Sequence, residues 1–175
     1  MGGNLQAIDV GTGRSVSSFA IGFYHMCAVL DDATLKCWGS NAYGVLGYGD
    51  TVFRGAATNT MGDYLPAVNL GQGLTAKQVT CGFAHTCAVL NDASVKCWGK
   101  SWEGQLGRKG FVNFGSSPDE MCDVLLPIQL GPGRTAKQIA TGKDFNCVLL
   151  DTDVVKCWGY QTNGQLGFYY TMYEL

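Results

Sequence analysis

Apolar and polar residues alternate along this chain in short runs bounded by glycine, and the runs return at a fixed interval. Between residues 61 and 120, AKQVTC (76–81), HTCAVL (85–90) and SVKCWG (94–99) are each strand-sized and carry β-branched residues. LPAVNL (65–70) is a fourth run of the same kind. Gly71-Gln72-Gly73, Gly82 and Asn91-Asp92-Ala93 separate them as turn signals. A helix is a poor alternative, because each interior glycine would cost about 1 kcal/mol. The pattern predicts four antiparallel strands.

The same set occurs three times. CAVLDDATLKCWG, CAVLNDASVKCWG and CVLLDTDVVKCWG begin at Cys27, Cys87 and Cys147, a period of 60 residues without insertion. VGTGR, LGQGL and LGPGR begin at Val10, Leu70 and Leu130, and GVLG, GQLG and GQLG begin at Gly44, Gly104 and Gly164. The chain thus reads as one array of three repeats, 1–60, 61–120 and a shortened 121–175. The predicted fold is all-β, a partial β-propeller of three tandem four-stranded blades. Three blades do not close a ring, so the array is expected to self-associate through its open blade edges. Met1 occupies a column that is internal in the other copies, and the sequence is expected to be an excerpt of a longer one. Segments 48–64 and 108–124 fit no strand and differ between copies, which makes them candidates for function.

Composition narrows the classes. The 175 residues include 25 glycines, roughly twice the usual share, and 8 cysteines. Net charge is −2, from 12 basic and 14 acidic residues, so nothing points to nucleic acid or an anionic membrane. No apolar run approaches the roughly 20 residues that cross a bilayer, and the sequence following Met1 lacks the pattern of a signal peptide.

Six cysteines fall in pairs that flank predicted hairpins: Cys27 with Cys37, Cys87 with Cys97, and Cys147 with Cys157. A three-residue loop centred on residue 32 sets Cys27 opposite Cys37, within the reach of a disulfide. Three bridges imply an oxidising compartment and a secreted or cell-surface protein. Buried thiols in a reducing cytoplasm or nucleus are the alternative. Zinc is a weaker reading, since no Cys-x-x-Cys occurs and Phe145 replaces the histidine of His25-x-Cys27 and His85-x-Cys87. Cys81 and Cys122 have no counterparts and read as free thiols.

Gly-x-x-His-Thr-Cys-Ala, followed by Lys-Cys-Trp-Gly and Gly-Gln-Leu-Gly, resembles the regulator of chromosome condensation repeat over essentially the whole chain. The resemblance implies a propeller whose loops recognise proteins. It also implies an alternative activity, guanine-nucleotide exchange or other regulation of a small GTPase inside the cell. Three departures stand out. The Asp-Gly turn of the family reads Asp32-Ala33, Asp92-Ala93 and Thr152-Asp153, Phe145 replaces the histidine, and Val45 replaces the glutamine. Photoreceptor relatives carry Gly-Trp-Arg-His-Thr, where this chain has GFYHM, GFAHT and GKDFN. Fold alone does not assign function.

Individual residues give no catalytic constellation. His25 and His85 recur without a serine or acid to complete a triad, Asp31-Asp32 and Asp119-Glu120 lie in turns or loops, and no phosphate-binding glycine motif occurs. No enzyme activity, metal or cofactor is expected. Trp38, Trp98 and Trp158 read as packing anchors between blades. Aromatics in the variable loops are the candidates for a protein-binding or glycan-binding rim: Tyr43, Phe53, Trp102, Phe111, Phe114 and Tyr169. The partner is unidentified. The competing reading has these rings folding back over the blade edges.

Overall fold

A computed structural model of the chain describes residues 2–168. Nine strands form three antiparallel three-stranded sheets, each in simple up-and-down order. The first sheet holds β1 (Val16–Ile21), β2 (His25–Leu30) and β3 (Leu35–Gly39). The second holds β4 (Ala76–Cys81), β5 (His85–Leu90) and β6 (Val95–Gly99). The third holds β7 (Ala136–Thr141), β8 (Phe145–Leu150) and β9 (Val155–Gly159). These are three blades of a β-propeller.

The expected fourth strand is not formed. Segment 65–70 runs beside the preceding blade and contributes one backbone bond to it, from the Val68 N–H to the Leu35 carbonyl at 2.7 Å. Segment 125–130 does the same through Ile128 to Val95 at 2.8 Å. Pro66, two positions before Val68, removes a donor from the side of its segment that faces the sheet, whereas Pro127 adjoins Ile128 and its missing donor lies on the other side. Alternation identified an extended, half-buried segment; it could not assign it to the sheet behind it.

Tight turns join β2 to β3 and their equivalents. Ala33, Ala93 and Asp153 adopt φ of 63°, 62° and 63°, the left-handed conformation that glycine would take at this place. Asp32 and Asp92 hold the turn, each accepting bonds from the main chain and hydroxyl of Thr34 or Ser94. The hairpins set Cys27 opposite Cys37, Cys87 opposite Cys97 and Cys147 opposite Cys157. Their sulfurs lie at 2.12, 1.97 and 2.08 Å and their Cα atoms at 4.1, 4.1 and 4.0 Å. The Cys37 backbone turns away from Cys27 and meets the Tyr48 hydroxyl, which accepts from its N–H and donates to its carbonyl, both at 3.0 Å. That marks Cys27 and Cys37 as a non-hydrogen-bonded pair, the position where opposed residues approach closely. Cys81 and Cys122 are unbridged.

Consecutive blades pack face against face. Cys27, Val29, Leu35 and Cys37 of the first meet Ala88, Leu90 and Trp98 of the second. Cys87, Val89, Val95 and Cys97 of the second meet Val148, Leu150 and Trp158 of the third. The middle blade is therefore covered on both sides, and β5 and β6 are buried along their whole length. Polar clamps repeat across each junction. Thr86 donates to the Val45 carbonyl at 2.8 Å, so the Nε2 of buried His25, 2.9 Å from the Thr86 hydroxyl, is the donor of that pair. Trp98 Nε1 donates to the same carbonyl at 2.9 Å. One blade on, His85 Nε2 meets Asn146 Oδ1 at 2.9 Å, while Asn146 and Trp158 both donate to the Gln105 carbonyl. The main chain at residues 45 and 105 makes the clamp, which explains how valine can stand where the next repeat has glutamine.

Candidate functional site

The turn that joins the first two strands of each sheet sets the site. Gly22 and Gly82 lie directly over the rings of His25 and His85, so closely that an added Cβ would overlap the imidazole. The residue after each glycine is pushed outward at the same level in every blade: Phe23, Phe83 and Lys143. Phe23 and Phe83 lie 4.7 Å apart, Tyr24 stands edge-on to Phe23 at 4.5 Å, and the Lys143 ammonium lies 5.4 Å from the Phe83 centroid. The Phe83 N–H donates to the Lys143 carbonyl at 2.8 Å, which locks two blades together at this level. Ile21, Cys81 and Thr141 floor an open recess of about 550 Å³ beneath these residues.

A second recess adjoins it, lined by Phe83, Lys100, Glu103, Lys143, Asp144 and Tyr160. Lys100 links it to the variable loop, because its ammonium lies 4.8 Å over the Trp102 ring. Trp102 is 56% exposed and meets Tyr43 of the preceding blade edge-on at 5.7 Å. Tyr43, Trp102, Lys100, Phe83, Phe23 and Tyr24 thus form one aromatic surface carrying lysines. The backbones beneath are fixed by bonds from Ser40 to Tyr24, Lys100 to Ala84 and Tyr160 to Asp144.

Of the rim residues expected from sequence, the structure brings together Tyr43 and Trp102. Phe53 and Phe111 are exposed, but among the described residues no ring contact joins them to this surface. Phe114 follows the competing reading given for these rings. It pairs backbone to backbone with Gly99 and packs against two core clusters, so it covers a blade edge. Tyr169 lies outside the described residues. Phe23, Phe83 and Lys143 were not among the candidates, although their column changes from aromatic to cationic between copies.

Electrostatics separate buried from open groups. Burial, followed by the nearby His85, lowers the His25 pKa to about 4. Burial likewise lowers that of His85. Burial also pushes the Cys81 thiol up to about 12, which leaves it unreactive. Trp98 is fully enclosed with its N–H committed to a carbonyl, a packing role. No cluster of three metal-ligating side chains exists among the described residues, and none of their helices is long and apolar enough to cross a membrane.

Sequence comparison matches the regulator of chromosome condensation (RCC1) repeat at residues 16–45, 76–105 and 136–165, with a further match over 35–89. The chain belongs to the RCC1 repeat family. Each of the three 30-residue matches begins at the first strand of its sheet and ends in the Gly-x-Leu-Gly loop, so this unit coincides with a three-stranded sheet and the loop that carries its clamp. Among curated proteins the chain is similar to the Ultraviolet-B receptor UVR8 of Arabidopsis thaliana, 35% identical over 156 residues, 88% of this chain and 32% of that protein. It is also similar to the E3 ubiquitin-protein ligase HERC2 of Homo sapiens, 30% identical over 156 residues, 88% of this chain and 3% of the ligase. Among solved structures it resembles human WBSCR16, with a TM-score of 0.73, 24% identity, and 92% and 39% of the two chains covered. Yeast RCC1 (Prp20), solved bound to Kap60, follows with a TM-score of 0.63, 20% identity, and 90% and 35% covered. The chain spans about a third or less of the length of these curated relatives. The structural matches show the fold alone.

Proposed function

We propose that this RCC1 repeat array is a protein-interaction scaffold that acts outside the reducing cytosol and binds its partner on the aromatic surface of Phe23, Tyr24, Phe83 and Trp102. The observation that carries the proposal is the continuity of that surface. Rings from separate repeats meet on hydrogen-bonded turns, so they are presented without further ordering on binding. Exposed aromatic groups of this size are typical anchors of protein interfaces. Support for an oxidising location comes from the three cystine pairs, which intracellular exchange on a small GTPase would place in a reducing setting.

The test is alanine at Trp102 and, separately, at Phe83, with affinity for the captured partner measured by calorimetry and stability by thermal melting. Trp102→Ala should weaken binding by more than about 1 kcal/mol while leaving the melting temperature in place. Unchanged affinity together with a lower melting temperature would show that the rings serve the fold.

A further inference from the structure

The first and second blades carry the same ring and cation pair in opposite order. In the first, the Arg54 guanidinium lies 4.1 Å over the Tyr48 ring. Its two terminal nitrogens donate to the two carboxylate oxygens of Asp50 at 2.9 and 2.7 Å. One period later Tyr48 is matched by Arg108, Arg54 by Phe114 and Asp50 by Gly110. Guanidinium and ring have changed places, and the carboxylate is gone. Arg108 lies 5.2 Å over Phe114, and its Nε and Nη2 are closed off from solvent without a hydrogen-bond partner. The ion pairs among the described residues serve Arg14, Arg54, Arg134 and Lys137, and leave Arg108 without a carboxylate. The charge beside it is a like one, the buried Lys96, whose ammonium is committed to the carbonyls of Leu70 and Cys122.

An arginine fork without an acceptor is costly and specific. Buried unpaired donors destabilise the free chain, and a carboxylate that takes both parallel N–H groups removes that cost while matching the fork in shape. The residues that follow, Lys109, Phe111 and Val112, are exposed. They add a second positive charge and an apolar shelf beside the guanidinium.

We infer that Arg108 receives a carboxylate side chain of the protein partner, with an adjoining apolar residue of that partner resting on Phe111 and Val112. The incoming carboxylate does for Arg108 what Asp50 does for Arg54, and the exposed segment 109–112 shifts to admit it. The identity of the occupant rests on the scaffold function proposed above; the anion site itself does not.

The test is an NMR titration of the ¹⁵N-labelled chain, following the Arg108 Nε–Hε resonance in sodium acetate and in sodium phosphate, each against sodium chloride at equal ionic strength. Acetate should move that resonance saturably. The backbone amides of residues 109–112 should move with it, and Arg108→Tyr, which restores the first blade's residue, should abolish their response to acetate with no loss of melting temperature. Absence of a saturable acetate shift would overturn the site. A tighter response to phosphate than to acetate would overturn the carboxylate in favour of a phosphorylated partner. Because the titration needs no protein partner, its failure is distinct from failure of the Trp102 experiment, which bears on the scaffold reading alone.

Discussion

His25 and His85 show how one residue type joins neighbouring repeats and ties the fold to pH. Each imidazole is buried and reaches a side chain of the next blade, Thr86 or Asn146, which in turn bonds the loop carbonyl of residue 45 or 105. A proton on His25 would add charge in a buried place beside His85 with no acid to receive it, and at His85 burial outweighs the nearby Asp144. The folded pKa of His25, about 4, therefore lies below the ordinary value of 6.5. The unfolded chain takes up its proton first, so stability is complete above pH 6.5 and falls as the pH drops from 6.5 towards 4. Below that both states are protonated and the loss stops growing. The interval corresponds to about 3 kcal/mol for His25. The third repeat supplies the control, since Phe145 occupies this place against Gly142. His25→Phe should flatten the part of the pH dependence due to His25, seen in chemical denaturation between pH 7 and pH 4. An unaltered slope would mean that other groups set the acid limit.

The hairpin is the element on which most of the blade turns, and the cystine is what closes it. The half-cystines of each pair are 10 positions apart, and closing such a loop is worth about 2–3 kcal/mol in the chain-entropy model. Burial distinguishes the three. Cys27, Cys37, Cys87 and Cys97 are wholly enclosed between blades, while Cys147 and Cys157 are half-buried. Reductant should reach the last pair first. Under native conditions, graded reduction and alkylation followed by mass spectrometry should label Cys147 and Cys157 before the other four. Simultaneous labelling of all six would show that the chain opens globally before any bridge is lost. The hairpins were legible in sequence because a period of 60 residues, a strand-length run and an opposed cysteine pair all fix the same register. Segment 65–70 was not, because alternation reports one buried face but says nothing of which sheet supplies it. Its partner, Leu35, lies in the previous repeat.

At the scale of the molecule, the candidate surface was half visible for the same reason. Trp102 announced itself by replacing Ala42 and Thr162 in its column, whereas Phe23, Phe83 and Lys143 gain meaning only when turning blades set equivalent positions side by side. Packing between blades follows one rule, and its consequence reaches the two outer faces. On the first blade Phe19 and Ile21 share a face with Met26, Ala28 and Trp38, and both are exposed. This is the kind of face that Val79, Ala88 and Trp98 present to the first blade's cystine. On the third blade Cys147, Leu149, Val155 and Cys157 form the opposite kind, with Val155 exposed. The two open faces are therefore complementary halves of the contact already made twice inside the chain. Such a contact is heterologous and joins copies head to tail. The 18.7 kDa chain should show concentration-dependent association in sedimentation velocity. Phe19→Arg spoils one half and Val155→Glu the other, so each variant alone should sediment as a monomer. Mixed in equal amounts, the intact face of one meets the intact face of the other, and the pair should stop at a one-to-one dimer. Continued association of Phe19→Arg on its own would mean that copies meet through some other surface.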